Sequence, residues 1–295
     1  MFDGFRRVDV DVEHDAGGTR VHAVVGGDGP PVLLLHGFPE SHLMWHAVAP
    51  ELAADHTVVA PDLRGYGESG IPAGGPEAYS FRAMADDQVA LMAQLGYERF
   101  AVVGHDRGGR VAHRMALDHP DLVQRAAVLD IMPTTHVYDS VDQRLATAYY
   151  HWFFYPQPEP VPERLIGADP IWYLHMLLGS WGGSLDHVTA EALAGYERAF
   201  ADPARRHAML QDYRAGATVD LALDRADAAA GRLVTAPLLV LWGARGVVGT
   251  GPDGVLEVWR TRAADVRGQA VDAAHFLAEE RPADILAALR PFLQA

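Results

Sequence analysis

Asp106 sits in Gly104-His105-Asp106-Arg107-Gly108, a Gly-x-Asp-x-Gly run at the end of the apolar stretch Phe100-Ala101-Val102-Val103. Val111, Ala112, Met115 and Ala116 follow at helical spacing. Strand, sharp turn, helix is the arrangement that lifts one side chain out of a sheet on a strained turn, and glycines two residues away on either side let strand and helix pass closely. Many enzymes carry a serine at that position, and a serine needs a base to activate it. A carboxylate does not. It can attack an alkyl carbon directly and form an ester, which water must then cleave. Taken alone, the same run also reads as an Asp capping a helix after a Gly-rich turn, so the rest of the chain decides.

Cleaving such an ester requires a base for water. His275, in Asp272-Ala273-Ala274-His275-Phe276-Leu277, lies between the last expected strand and the last expected helix. Nucleophile, acid, histidine is the chain order that accompanies a turn of this kind. The histidine in turn needs a carboxylate to fix its tautomer and stabilise the imidazolium. Asp130, at the end of the strand after the Asp106 helix, is better placed than the loop after Leu241-Trp242-Gly243, which holds no acid before Asp253. Charge developing on the ester carbonyl calls for backbone N–H donors. Arg107, next after Asp106, and Phe38, in His36-Gly37-Phe38-Pro39, are the expected pair.

These residues have to be positioned by a sheet. Residues 6–13 and 19–25 alternate in polarity and flank Asp15-Ala16-Gly17-Gly18, which predicts an antiparallel hairpin. Short apolar runs at 32–35, 57–60, 100–103, 126–131, 238–243 and 268–272 read as buried strands. Helices are expected at 81–95, after Asp106, near 254–264 and from about 276. Strands alternating with helices imply a mostly parallel, eight-stranded sheet covered on both faces. Residues 132–231 differ in texture, being rich in aromatics, histidine and proline with no strand run. They read as a helical cap inserted into a core of 1–131 and 232–295, over the strand ends where such sheets hold ligands.

With 295 residues, 49% of them hydrophobic, the chain can bury a sizeable core. A formal charge of −15 excludes a nucleic-acid partner, which would need a basic stripe. An anionic substrate would need local arginines. The absence of cysteine rules out disulfides and thiolate chemistry. His105 and His113 lack a third ligand, so no metal is expected, and the glycines at 246, 249, 251 and 254 do not have dinucleotide-binding spacing. Met1 to Val12 has no apolar signal core, and no run reaches the roughly 18 apolar residues of a membrane span. A soluble, cytoplasmic protein without a membrane partner is expected.

The His-Gly-Phe-Pro turn, Asp62-Leu63-Arg64-Gly65-Tyr66-Gly67, the Gly-His-Asp-Arg-Gly-Gly turn, the mid-chain cap and the late His-Phe resemble α/β-hydrolases with an aspartate nucleophile. Haloalkane dehalogenases, epoxide hydrolases and fluoroacetate (haloacetate) dehalogenases share that plan. Asp106-Arg107-x-x-Arg110, His151-Trp152, Tyr213 and Asp130 look specifically like the fluoroacetate dehalogenases. The resemblance implies an α/β-hydrolase fold, hydrolytic dehalogenation of a small 2-haloacid, no cofactor and a homodimer. Arg107 and Arg110, three apart at a helix start, can converge on one substrate carboxylate. Two cations at the positive end of a helix are costly without an anion to bind. His151, Trp152 and Tyr213 offer three donors for a departing halide, and Trp181, among glycines, is a candidate tunnel gate.

An epoxide hydrolase is the nearest rival, using the same Asp and His with cap tyrosines, here Tyr213 with Tyr149 or Tyr150. A neutral epoxide has no use for the two arginines. A haloalkane dehalogenase would carry tryptophan at Arg107, and Asp106 excludes a serine esterase. A non-catalytic binding protein on the same fold has no need to keep Asp106, His275 and Asp130 together.

Overall fold

The structure, a computed structural model, describes residues 1–14 and 17–294. Eight strands form one sheet: β1 (Arg6–Val12), β2 (Thr19–Gly26), β3 (Pro31–Leu35), β4 (Thr57–Pro61), β5 (Phe100–His105), β6 (Val123–Leu129), β7 (Leu238–Gly243) and β8 (Val266–Val271). Their spatial order is β1-β2-β4-β3-β5-β6-β7-β8. β1 and β2 pair antiparallel from Arg6↔Val25 to Val12↔Thr19, and β2 pairs antiparallel with β4. All pairs from β4 to β8 are parallel. Two residues of the expected β1–β2 turn, Asp15 and Ala16, lie outside the described residues.

The inner strands β3, β4, β5 and β7 are apolar because both faces are covered, whereas the edge strands β1 and β8 carry exposed polar residues. Leu33 and Leu35 join one buried cluster with Val102, Val128 and Val240, packed under the helices Phe81–Gln94 and Asp106–Asp118. Val32, Leu34, Val103, Leu129 and Leu241, one residue out of phase, join a second cluster with Ile285, Leu289 and Phe292 of the closing helix. Successive residues of a strand point to opposite faces, so the inner strands feed both clusters.

Between β6 and β7 the described residues form helices from Thr134–Asp139 to Val219–Ala229 and no strand. Tyr66 reaches this block by donating its hydroxyl to Asp212, 2.7 Å away. No helix among the described residues is long and apolar enough to cross a membrane.

Three of the departures from the expected boundaries have a clear local reason. β6 ends at Leu129, because Asp130 takes a positive φ of 51° and turns the chain out of the sheet. The helix expected near 254–264 covers only Val255–Trp259. Trp259 Nε1 donates to the Ile131 carbonyl at 3.0 Å, and Ala264 N–H donates to the Val234 carbonyl at 3.0 Å, drawing the following residues out of helical register. The closing helix is two pieces, Leu277–Glu280 and Pro282–Gln294. Pro282 cannot continue a helix from the preceding turn but starts a new one well.

Candidate active site

The turn around Asp106 is built by close approach. A Cβ at Gly104 would collide with the Gly108 carbonyl, and one at Gly108 with the His36 carbonyl. Strand, helix and the His36–Pro39 turn thus meet backbone to backbone. Gly108 N–H donates to His36 O at 3.0 Å, and the His36 ring bridges Gly37 O (2.9 Å) and Leu63 N–H (3.0 Å). Burial pushes the His36 pKa down to about 4, so the ring serves as a neutral strut.

Asp106 (φ 43°) and Asp130 (φ 51°) are the two non-glycine residues of positive φ among the described residues. Each costs roughly 1–3 kcal/mol, and such strain concentrates where a side chain must be aimed. Asp106 Oδ2 accepts the Phe38 N–H at 3.0 Å. Burial works to raise the Asp106 pKa, but His275, His105, Arg107 and Arg110 outweigh it and hold the carboxyl below its ordinary value. The group is an anion at neutral pH.

His275 Nδ1 donates to Asp130 Oδ2 at 2.7 Å, and Asp130 Oδ1 accepts the Gly243 N–H at 2.9 Å. Asp130 is therefore fixed from both sides, and the His275 proton sits on Nδ1, leaving Nε2 as the basic nitrogen. The alternative acid, Asp253, lies 3.2 Å from His136 Nε2 and does not reach His275.

Asp106, Asp130 and His275 line a cavity of about 410 Å³ together with Arg110, Tyr149, His151, Trp152, Trp181 and Tyr213. The helix Tyr150–Phe154 carries His151 and Trp152, Pro170–Gly182 carries Trp181, and Pro203–Ala217 carries Tyr213. Burial lowers the His151 pKa to about 3 and raises that of Tyr213 well above its usual value, so a neutral imidazole and a protonated phenol face the cavity. Trp181 rests its ring 4.6 Å from that of His151 and 5.6 Å from that of His275.

The two arginines have different surroundings. Arg107 does not line the cavity. Its Nε donates to Asp212 Oδ2 at 2.9 Å, its NH2 donates to the Asp212 carboxylate and to the Asp212 carbonyl, and its guanidinium lies between the Phe81 and Tyr213 rings. The protein itself thus supplies Arg107 with a buried anion, Asp212, which Arg110 lacks. Arg110 lines the cavity. Its NH1 donates to Met132 O (3.0 Å) and Thr134 Oγ1 (3.1 Å), its guanidinium covers the Trp152 ring, and its Nε is buried without a protein partner. Burial and the nearby Arg107 lower the Arg110 pKa.

Asp212, Glu40 and Glu279 were not singled out by sequence reasoning. Asp212 adjoins Tyr213, but its partner lies 105 residues away. The tyrosines of the rival reading also divide: Tyr149 lines the cavity and stacks on Trp152, while Tyr150, also on the lining, hydrogen-bonds Tyr173 at 2.9 Å. Chemically, the site offers an ionised carboxylate, a histidine–carboxylate base, backbone donors and a buried cation with an open valence.

A family model described as alpha/beta hydrolase fold matches residues 30–282. A fluoroacetate dehalogenase from Burkholderia sp. is 48% identical over 296 residues, covering 99% of this chain and 95% of the relative. A soluble epoxide hydrolase from Corynebacterium sp. (strain C12) is 35% identical over 269 residues, covering 90% of each. A crystal structure from Nostoc sp. PCC 7120, described as an alpha/beta hydrolase, superposes with a TM-score of 0.95 at 50% identity and covers 99% of each chain.

Proposed function

The chain belongs to the alpha/beta hydrolase fold family and is a hydrolase, and on that premise we propose that it hydrolyses the carbon–halogen bond of small 2-haloacids of the fluoroacetate type. The observation that carries this reading is Arg110. A guanidinium buried to 3% exposure beside Asp106, with an unpartnered Nε and its face on Trp152, is a costly arrangement unless an anion completes it. A haloacetate carboxylate is such an anion, and it places the α-carbon next to a carboxylate nucleophile.

The reaction runs in two steps. Arg110, with Arg107 behind it, holds the substrate carboxylate while Asp106 attacks the α-carbon. A carbon–oxygen bond forms as the carbon–halogen bond breaks, and the halide leaves toward His151, Trp152 and Tyr213. These donors suit fluoride, which forms strong hydrogen bonds. His275, oriented by Asp130, then takes a proton from water, and the hydroxide adds to the aspartyl ester carbonyl. The Phe38 N–H, already on Asp106 Oδ2, and the Arg107 N–H steady the developing oxyanion. Collapse releases the 2-hydroxy acid, and the net products are that acid, halide and a proton.

The second reading, an epoxide hydrolase, has its own support in Tyr213 and Tyr149 on the cavity wall and in the Corynebacterium relative. Fluoride release from fluoroacetate by wild type and Asp106→Ala, with styrene oxide run in parallel, separates the two. Steady fluoride from wild type and none from the variant supports the dehalogenase; turnover of the epoxide alone overturns it. In a single turnover in labelled water, the label enters Asp106 before it enters product.

A further inference from the structure

Behind the cavity, two glutamates meet where neither solvent nor a lysine or arginine balances them. Glu40, two residues after Phe38, is 1% exposed, and Glu279, four residues after His275, is 8% exposed. Glu40 Oε2 lies 3.1 Å from His105 Nδ1, and Glu279 Oε1 accepts the Tyr196 hydroxyl at 3.2 Å. The other oxygen of each, Glu40 Oε1 and Glu279 Oε2, is buried with no other protein partner. Yet the two carboxyl groups lie within hydrogen-bonding reach of each other. Ionised carboxylates only accept hydrogen bonds, so the contact is attractive only when one of them carries a proton.

The far end of this pair leads to the catalytic loop. His105 Nε2 donates to the His275 carbonyl at 2.9 Å, and the two rings are 4.7 Å apart. The next residue, Glu280, accepts the Ala274 N–H at 2.7 Å and the Phe276 N–H at 2.9 Å. The residues flanking His275 are thus held through their N–H groups by Glu280, and its own carbonyl is held by His105. Asp106 and Arg110 contact the substrate in the proposed reaction; Glu40, Glu279 and His105 do not.

We propose that Glu40 and Glu279 share a single proton, so that Glu40 Oε2 stays free to accept from His105 Nδ1 while His105 Nε2 donates to the His275 carbonyl, and that the pair thereby positions His275. Tyr196, from the helix Ala190–Ala201, caps the pair from the inserted block, so core loop and block meet at one buried acid. The charged and titratable groups facing the pair are His105 and Asp106 at the end of β5, His275 after β8, and Tyr196. None of them is a cation fixed by lysine or arginine. When the shared proton leaves, two adjacent buried anions repel, and the contact that fixes His105 is lost. Burial favours the protonated form of both groups and brings the Glu40 pKa up to about 8, so this loss falls on the alkaline side of neutrality.

The role of His275 as base belongs to the function proposed above, so the test has one arm that does not depend on it. Infrared difference spectra of wild type between pH 6 and pH 9.5 are expected to show a carboxylic-acid carbonyl band lost on alkalinisation. Glu279→Gln and Glu40→Gln each keep a donor for the partner carboxylate while removing the shared proton, and the band should shrink in both. Asp220, also buried and raised to about 8, supplies a background that neither variant changes. On any substrate the enzyme turns over, the wild-type kcat should fall through an alkaline limb that moves up by about one pH unit or more in both variants. Glu279→Leu, which cannot donate, should lose kcat with little change in KM. An unchanged band in both glutamine variants overturns the shared proton. A reduced band with an unmoved alkaline limb overturns the positioning role. Absence of haloacid turnover overturns the proposed function while leaving the infrared result to stand or fall on its own.

Discussion

Asp106, Asp130 and His275 hang from the ends of β5, β6 and β8, whereas His151, Trp152, Trp181 and Tyr213 come from three separate helices of the inserted block. The first set is fixed by backbone: strained φ angles at two aspartates, glycines admitting close approach, and hydrogen bonds of 2.7 and 2.9 Å. The second set is fixed by ring packing. Tyr213 touches Phe38 and Tyr155 edge-on at 5.2 and 4.8 Å, and Trp152 stacks on Tyr149. Backbone-fixed groups are suited to a reaction that is the same for many substrates. Ring-packed groups can be exchanged one at a time, so in the proposed reaction they are the ones expected to set substrate choice.

The sharpest way to break that contrast is to remove a sheet residue and ask whether every substrate suffers. His275→Asn should leave ester formation intact and stop ester cleavage. A burst of about one halide per site is expected, with steady turnover down by roughly 10³-fold or more, a size typical of losing a member of such a unit. Intact-mass measurement should find the alkylated protein, and epoxides, if accepted, should be stalled equally. Steady turnover by the variant would mean that His275 is not the base.

Arg110→Leu lies on the boundary between the two sets, since its backbone belongs to the Asp106 helix and its guanidinium rests on Trp152. KM for chloroacetate or fluoroacetate should rise about 100-fold, matching the few kcal/mol of a buried charge contact. Chloroacetamide, which has no charge to lose, should be little affected. Equal loss on both would reduce Arg110 to a structural role. Within the ring-packed set, Tyr213→Phe should slow fluoride release about 10-fold and chloride release less, because one donor to an anion is worth about 1.5–3 kcal/mol and the smaller ion depends on it more. The ratio of fluoride to chloride rates is the readout.

The same contrast decides how much was legible in the sequence. Asp106 announces itself through the glycines beside it, and His275 and Asp130 through their place after particular strands. Those are local signals, and the elements around them follow the period of the apolar residues. The partnership of Arg107 with Asp212 has no local signal. Arg107 looked like a cation awaiting substrate because Asp212 belongs to a helix whose docking no pattern in residues 203–217 reveals. Glu40 and Glu279 were hidden differently. A glutamate in a turn and one in a four-residue helix read as solvated surface, and only the burial of both against His105 and Tyr196 makes them a pair. The helix end at Trp259 was likewise settled by a tertiary bond, Nε1 to Ile131.

The smallest expected effect tests the boundary between sheet and block without touching the chemistry. Asp220, in the helix Val219–Ala229, accepts the Phe81 N–H at 2.9 Å, and its other oxygen is buried without a partner. Burial raises its pKa to about 8, with Arg107 opposing and Asp212 reinforcing the rise. The folded chain therefore holds a proton that the unfolded chain releases near pH 4, so this group weakens the fold as pH rises from about 4 to about 8 and adds no further slope beyond. Asp220→Asn keeps the acceptor for Phe81 and has nothing to ionise. Relative to wild type, the variant should gain stability as pH climbs through that window, by up to ~1.4 kcal/mol per pH unit, the linkage of one proton. Urea unfolding at pH 5, 6 and 7 measures it. Parallel curves for the two proteins would mean that Asp220 is ionised in the fold, balanced by Arg107, and that Arg107 is then shared between Asp212 and Asp220 and is less free to meet a substrate carboxylate.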